Sequence, residues 1–294
     1  MHLPRGTWFA AALLVAGCGT SADSVSSLDS PSVSVPKSAP ASTSTAVARP
    51  ESNEQPWRLV AIGDSIPFGS GDCGGCVPFP QRFGDWIETT SGRPVEVTNL
   101  AQHDNLTAAR LADELPRSEQ LLEALRQADI ITITLGHNDT PWNATDDSCD
   151  QDHGFFDGNA SAPWDVLTGP CLDTEVERYR ENLEAIFAEI TDLRSGHPTA
   201  IRFTTQYADI PGDPCCPPEA TAASTVVKDR FNTVACEVAA LHGIMCIDVY
   251  HAFNGPDGSA DAGPLLAGDH THPSADGQQA IADLLAEAGL SPLA

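Results

Sequence analysis

The chain has 294 residues, enough to bury one sizeable core or two small ones, and its apolar fraction of 41% is ordinary for a soluble globular protein. Against 15 Lys and Arg it carries 41 Asp and Glu, a formal net charge of −26. A field of that sign repels polyanions over much of the surface, which argues against nucleic acid as a partner.

The chain opens with Arg5 and an apolar run from Thr7 to Gly17, TWFAAALLVAG. That run is too short to span a bilayer as a stable helix, and residues 1–17 read as an export signal. Val15, Ala16 and Gly17 stand directly before Cys18, an order that resembles the lipobox of bacterial lipoproteins, where the cysteine becomes the lipidated mature N-terminus. A plain secretory peptide with an incidental cysteine is the alternative; both place the protein outside the cytoplasm. Residues 18–56 are mostly Ser, Thr, Ala and Pro, with too little apolar surface to offset the entropy of ordering, and are expected to be a disordered tether. Core-like composition starts at Trp57, so 57–294 is the expected folded domain.

The first candidate strand, RLVAIG over 58–63, runs into Gly63-Asp64-Ser65 and stops. Taken alone, Ser65 is a turn serine that caps a helix. Cys73 and Cys76 follow, at a spacing that would also suit zinc or a redox dithiol, but a second pair with tetrahedral spacing is missing. The second strand, VEVTNLA over 95–101, ends in Asn99 and the polar stretch QHDNLT; the third, ADIITITLG over 128–136, ends in Gly136-His137-Asn138-Asp139. The segment Thr140 to Leu172 then interrupts the rhythm. Its Trp142, Phe155, Phe156 and Trp164 argue against simple disorder, and it is expected to form a lid or wall of a cleft that favours an apolar acyl or aryl group. Asp146, Asp147, Asp150 and Asp152 lie in it without the ligand loop of a calcium site.

A helix opens at Asp173 or Thr174, repeats apolar residues through Tyr179, Leu183, Ile186 and Ile190, and closes at Gly196. The fourth strand, AIRFTTQY over 200–207, a helix over 222–243, and the fifth strand, IMCIDVY over 244–250, come next. The last helix, over 274–290, is preceded by GDHTHPSADG, which sets Asp269 three residues before His272. Setting Cys18 aside leaves Cys73, Cys76, Cys149, Cys171, Cys215, Cys216, Cys236 and Cys246, an even number that argues for disulfides in an exported chain. Sequence neighbours suggest Cys73 with Cys76 and Cys149 with Cys171.

This alternation predicts a three-layer α/β/α fold with a doubly wound, mostly parallel five-stranded sheet and right-handed crossovers. Such folds bind ligands outside the carboxyl ends of the strands. Ser65, Asn138, Asp269 and His272 all fall on loops at that edge.

Together, Gly63-Asp64-Ser65, Gly136-His137-Asn138-Asp139 and Asp269-His270-Thr271-His272-Pro273 resemble the nucleophile, G-x-N-D and D-x-x-H-P blocks of the SGNH, or GDSL-type, hydrolase superfamily, over about residues 57 to 290. The resemblance implies the flavodoxin-like SGNH fold and cleavage of carboxylic esters through an acyl-serine. It makes Ser65 the nucleophile, His272 its base and Asp269 the residue that orients the imidazole. It assigns the oxyanion hole to the backbone N–H of Ser65, the backbone N–H of Asp104 and the Asn138 amide. The second block departs from the pattern: NLAQHDNLT lacks the usual glycine, and Asp104 or Asn105 stands nearest to it.

The resemblance implies no cofactor and no metal, a small-molecule or lipid or carbohydrate ester as substrate, and membrane contact only through the N-terminal lipid; a monomer is expected. His270 lies too close to Asp269 to be oriented by it. Asp64 and Asp139 are read as loop anchors, and His103, His137 and His153 as polar loop residues. The alternative to an enzyme is a non-catalytic envelope lipoprotein that holds a ligand in the same cleft.

Overall fold

The computed structural model describes residues 55–69, 73, 75–142, 148–149, 164–214 and 216–293. The export signal, Cys18 and nearly all of the tether lie outside these residues, as do Asp146, Asp147, Asp150, Asp152, His153, Phe155, Phe156 and Cys215. Strands β1 (Trp57–Gly63), β2 (Val95–Asn99), β3 (Ile130–Thr134), β4 (Ala200–Thr204) and β5 (Met245–Ile247) form one sheet in the order β2-β1-β3-β4-β5. Every pairing is parallel, with Leu59 facing Val97 on one side and Ile130 on the other. Each strand falls on an expected run.

Strand side chains alternate between two cores, because successive Cβ atoms point to opposite faces of a sheet. Leu59 and Ala61 meet α2 (Phe79–Ser91), α7 (Val249–Asn254) and α8 (Ala275–Glu287) through Phe79, Phe83, Phe253 and Ile281. Val60, Ile62, Ile131 and Ile133 meet α3 (Ala108–Glu114), α4 (Glu119–Gln127), α5 (Pro170–Leu193) and α6 (Pro218–Leu241) on the other side. The central strands β3 and β4 are buried throughout, as their unbroken apolar runs require. The edge strand β2 is not: Glu96, Thr98 and Asn99 are exposed.

The long helices begin earlier than their apolar periodicity suggests. α5 starts at Pro170 and α6 at Pro218, where a proline near the first helical position costs no hydrogen bond and presets φ. Ser274 caps α8 by accepting from the Gly277 N–H, 3.2 Å away. Disulfides join Cys73 to Cys76 and Cys149 to Cys171, the pairings that sequence neighbours suggest, and a further one ties Cys236 of α6 to Cys246 of β5. Trp142 and Trp164 sit in the α5/α6 core at 5% and 4% exposure, so these two aromatics stabilise the fold and do not line a cleft. Strand order reverses between β1 and β3. Their carboxyl ends therefore open the crevice where folds of this topology bind ligands.

Candidate active site

At the end of β1 the chain turns sharply at Gly63, whose φ of +138° suits only glycine. A Cβ there would overlap the Thr134 carbonyl oxygen of β3. Asp64 then caps the single-turn helix α1 (Ser65–Phe68), its Oδ1 accepting from the Ile66 N–H at 3.0 Å. Ser65 is the first residue of that turn. Two further side chains fix α1: Asn99 at the end of β2 donates to the Pro67 carbonyl at 2.7 Å, and Gln278 of α8 donates to the Ile66 carbonyl at 3.3 Å while accepting from the Phe79 N–H at 2.7 Å.

The loop ahead of α8 is equally constrained. The Ala267 N–H donates to the His272 carbonyl at 2.7 Å, and His270 takes the left-handed position of the turn with φ +55°. Asp269 Oδ1 accepts from the amides of Thr271 and His272 at 3.1 and 3.0 Å, so the carboxylate is locked before it meets the imidazole. Its Oδ2 lies 2.7 Å from His272 Nδ1. With the proton on Nδ1, Nε2 is the acceptor, and the Ser65 hydroxyl stands 3.0 Å from it. Burial raises the Asp269 carboxyl, but hydrogen bonds from the His272 amide and imidazole and the Thr271 amide outweigh it and hold the group below the usual carboxylate range. Tyr207, which the sequence reading did not single out, donates to the Thr271 carbonyl at 2.6 Å and braces this loop.

Asn138 reaches the same rim from β3. One N–H of its amide donates to the Leu106 carbonyl at 3.0 Å, which orients the group and leaves a second N–H to give. In the block that lacks the usual glycine, the left-handed residue is Asn105, with φ +57°. Asp104 is exposed; Arg110 binds its carboxylate at 2.7 Å and its carbonyl at 3.0 Å, and this hydrogen bonding lowers its pKa.

Beneath the relay lies a buried polar layer. Lys228 of α6 is fully buried; its Nζ donates to Gln206 Oε1 at 3.2 Å, stands 3.5 Å from His137 Nδ1 and lies 5.6 Å from the centre of the Trp142 ring. His137 Nε2 is 3.5 Å from Asp209 Oδ2. Burial pulls the His137 pKa down to about 4, against the pull of Asp209, so the ring is neutral at pH 7. Burial likewise pushes Asp64 up to about 7, opposed by the Ile66 amide, Lys228 and His272. Loss of solvent raises Asp139 to about 7 as well, although it accepts twice from the Ala108 N–H at 2.8 and 3.1 Å. Asp64 and Asp139 thus do anchor loops. His137 and His103 have definite partners, contrary to their reading as plain loop residues. Lys228 and Asn232, polar residues four apart on an otherwise apolar helix face, were the sequence signal for this layer.

A cavity of about 540 Å³ between α6 and β5 contains none of the relay residues. The contacts among Ser65, His272 and Asp269 lie instead beside the carboxyl end of β1.

The model of the GDSL-like Lipase/Acylhydrolase family matches residues 61–280, from the end of β1 into α8. The chain belongs to that family. It is a carboxylic ester hydrolase of the esterase/lipase kind. Among solved structures, a lipase from a goat rumen metagenome is similar at 20% identity and a TM-score of 0.63, over 81% of this chain and 100% of that one. An acetylxylan esterase from Geobacillus stearothermophilus matches at 18% identity and a TM-score of 0.52, over 79% and 93%. A lipase/acylhydrolase from Enterococcus faecalis matches at 22% and 0.54, over 80% and 95%. At these identities the structures share the fold. No curated protein matches the sequence.

Proposed function

We propose that the protein is an extracytoplasmic serine hydrolase that cleaves carboxylic esters through an acyl-serine intermediate. The observation that carries this reading is the continuous relay from Asp269 through His272 to the Ser65 hydroxyl, with contacts of 2.7 and 3.0 Å, at the crevice between β1 and β3. His272 takes the Ser65 proton as Oγ attacks the ester carbonyl carbon, and Asp269 stabilises the imidazolium that forms. The oxyanion is received by the amide N–H groups of Ser65 and Asp104 and the second N–H of Asn138; a donor of this kind contributes about 2.7 to 4 kcal/mol to transition-state binding. His272 then gives the proton to the departing alkoxide. Water, activated by the same imidazole, hydrolyses the acyl-serine and returns the enzyme.

The chain acts as a monomer without a cofactor or metal, on a small-molecule, lipid or carbohydrate ester. Cys18 carries the lipid that holds it to the outer face of the membrane, and residues 18–56 form the tether. The test is hydrolysis of p-nitrophenyl acetate by the purified protein. A burst of p-nitrophenol is expected, and Ser65→Ala should lower turnover by at least about a thousandfold. Undiminished turnover in Ser65→Ala would refute the assignment.

A further inference from the structure

Among the described residues, no Phe, Trp or Tyr other than Phe68 is broadly exposed; its side chain is 47% accessible. Leu241 and Met245 are exposed as well, at 74% and 41%, so exposure alone says little; what sets Phe68 apart is a flat aromatic face on the turn that carries the nucleophile. Phe68 stands three residues after Ser65 on α1, a spacing that puts both side chains on one face of the helical turn. Its ring stacks on the His103 imidazole with centroids 5.4 Å apart and planes 13° from parallel. His103 in turn lies 6.3 Å from the His272 ring. The platform is held by the contacts that hold the nucleophile: Asn99 on the Pro67 carbonyl, and Pro78 closing against Gly69, the left-handed residue that ends α1.

We propose that Phe68 and His103 form a stacking shelf for the alcohol portion of the ester, selecting alcohols that present a flat ring face, either an aryl ring or the C–H face of a sugar. The inference rests on the acyl-serine reading above. In acylation the Ser65 Oγ–C bond forms and the ester C–O bond breaks, while the serine proton passes through His272 Nε2 to the departing oxygen. The alcohol must therefore lie against His272, and His103 with Phe68 is the flat surface beside that ring. A ring seated there covers the exposed Phe68 face and gains an aromatic contact that a short alkyl alcohol lacks.

The experiment compares phenyl acetate, a monoacetylated methyl pyranoside and ethyl acetate on the full chain and on Phe68→Ala and Phe68→Tyr. All three substrates leave the same acetyl-serine, so any deacylation-limited kcat is common to them and the shelf acts on kcat/KM. In Phe68→Ala, kcat/KM should fall about two- to tenfold more for a ring alcohol than for ethyl acetate, and Phe68→Tyr should restore it. Whichever ring substrate loses more names the source of the ring, aryl or sugar. An equal loss on all three acetates, or a loss that follows acyl length between phenyl acetate and phenyl butyrate, would overturn the shelf. Labelling of Ser65 by a fluorophosphonate in the wild type separates the two readings. A labelled wild type with a uniform loss sinks only the shelf, whereas no labelling sinks the acyl-serine mechanism beneath it.

Discussion

In the proposed mechanism a single side chain, Asn138, is divided between two tasks, one N–H spent on the Leu106 carbonyl for orientation and the other given to the oxyanion. Asn138→Ala should therefore lower kcat about a hundred- to thousandfold with little change in KM, because the lost bond is made in the transition state and not the ground state; an equal rise in KM with constant kcat would contradict that role. Asp64 carries a different prediction. Its carboxyl loses its proton near 3.8 when unfolded and near 7 when folded, so between those values the native state binds the extra proton and the group's contribution to stability falls as pH rises. Asp64→Asn removes that dependence. Relative to wild type the variant should gain stability from pH 4 to pH 7, by at most about 1.4 kcal/mol per pH unit, in denaturant titrations; a difference that stays flat over that range would count against a protonated Asp64. The sequence disclosed the residues of the relay because each stands in a short motif, Ser65 directly after β1 and Asp269 with His272 in the loop that leads into α8. It did not disclose the partners of Lys228, His137 and Asp209, since their pairing is made by tertiary contacts between α6 and two loops far apart in the chain.

The elements were legible to the degree that local chemistry determines them. β3 and β4 show as unbroken apolar runs because both faces are buried, whereas β2 reads almost the same yet lies at an edge, a distinction that depends on which strand pairs with which. The start of α8 was located within a residue, where Ser274 caps it, while its end falls three residues earlier than expected. The starts of α5 and α6 were missed because the periodicity begins after their opening prolines. The 140–172 segment was misjudged in part for a related reason: Trp142 and Trp164 look like lid aromatics by position, but burial against α5 and α6 commits them to the core. The turn that presents Ser65 depends on Gly63 more than on any side chain. Gly63→Ala forces a Cβ into the Thr134 carbonyl at a φ that L-residues avoid, so β1 and β3 must part. A fall in Tm of several degrees together with loss of activity is expected in thermal unfolding; an unshifted Tm would show that the turn relaxes freely.

Over the whole molecule, parallel strands in the order β2-β1-β3-β4-β5 explain why residues 207 positions apart in the chain, Ser65 and His272, share a hydrogen bond. Strand-helix alternation made that architecture readable from the sequence, and the rule that ligands bind at the carboxyl ends of the strands converted it into a location for the chemistry. A whole-chain net charge of −26 works against the approach of anionic esters. The anchoring proposal belongs to the same scale: a radiolabelled fatty acid should mark the wild-type chain and not Cys18→Ser, and equal labelling of both, or of neither, would remove the lipid anchor from the account. The central claim is that these distant pieces make one nucleophile, and peptide mapping by mass spectrometry after fluorophosphonate treatment tests it most directly. The account predicts a single phosphonyl adduct, on the peptide that carries Ser65, lost when His272 is replaced by Ala; an adduct on another residue, or ester turnover in a protein whose Ser65 stays unmodified, would contradict it.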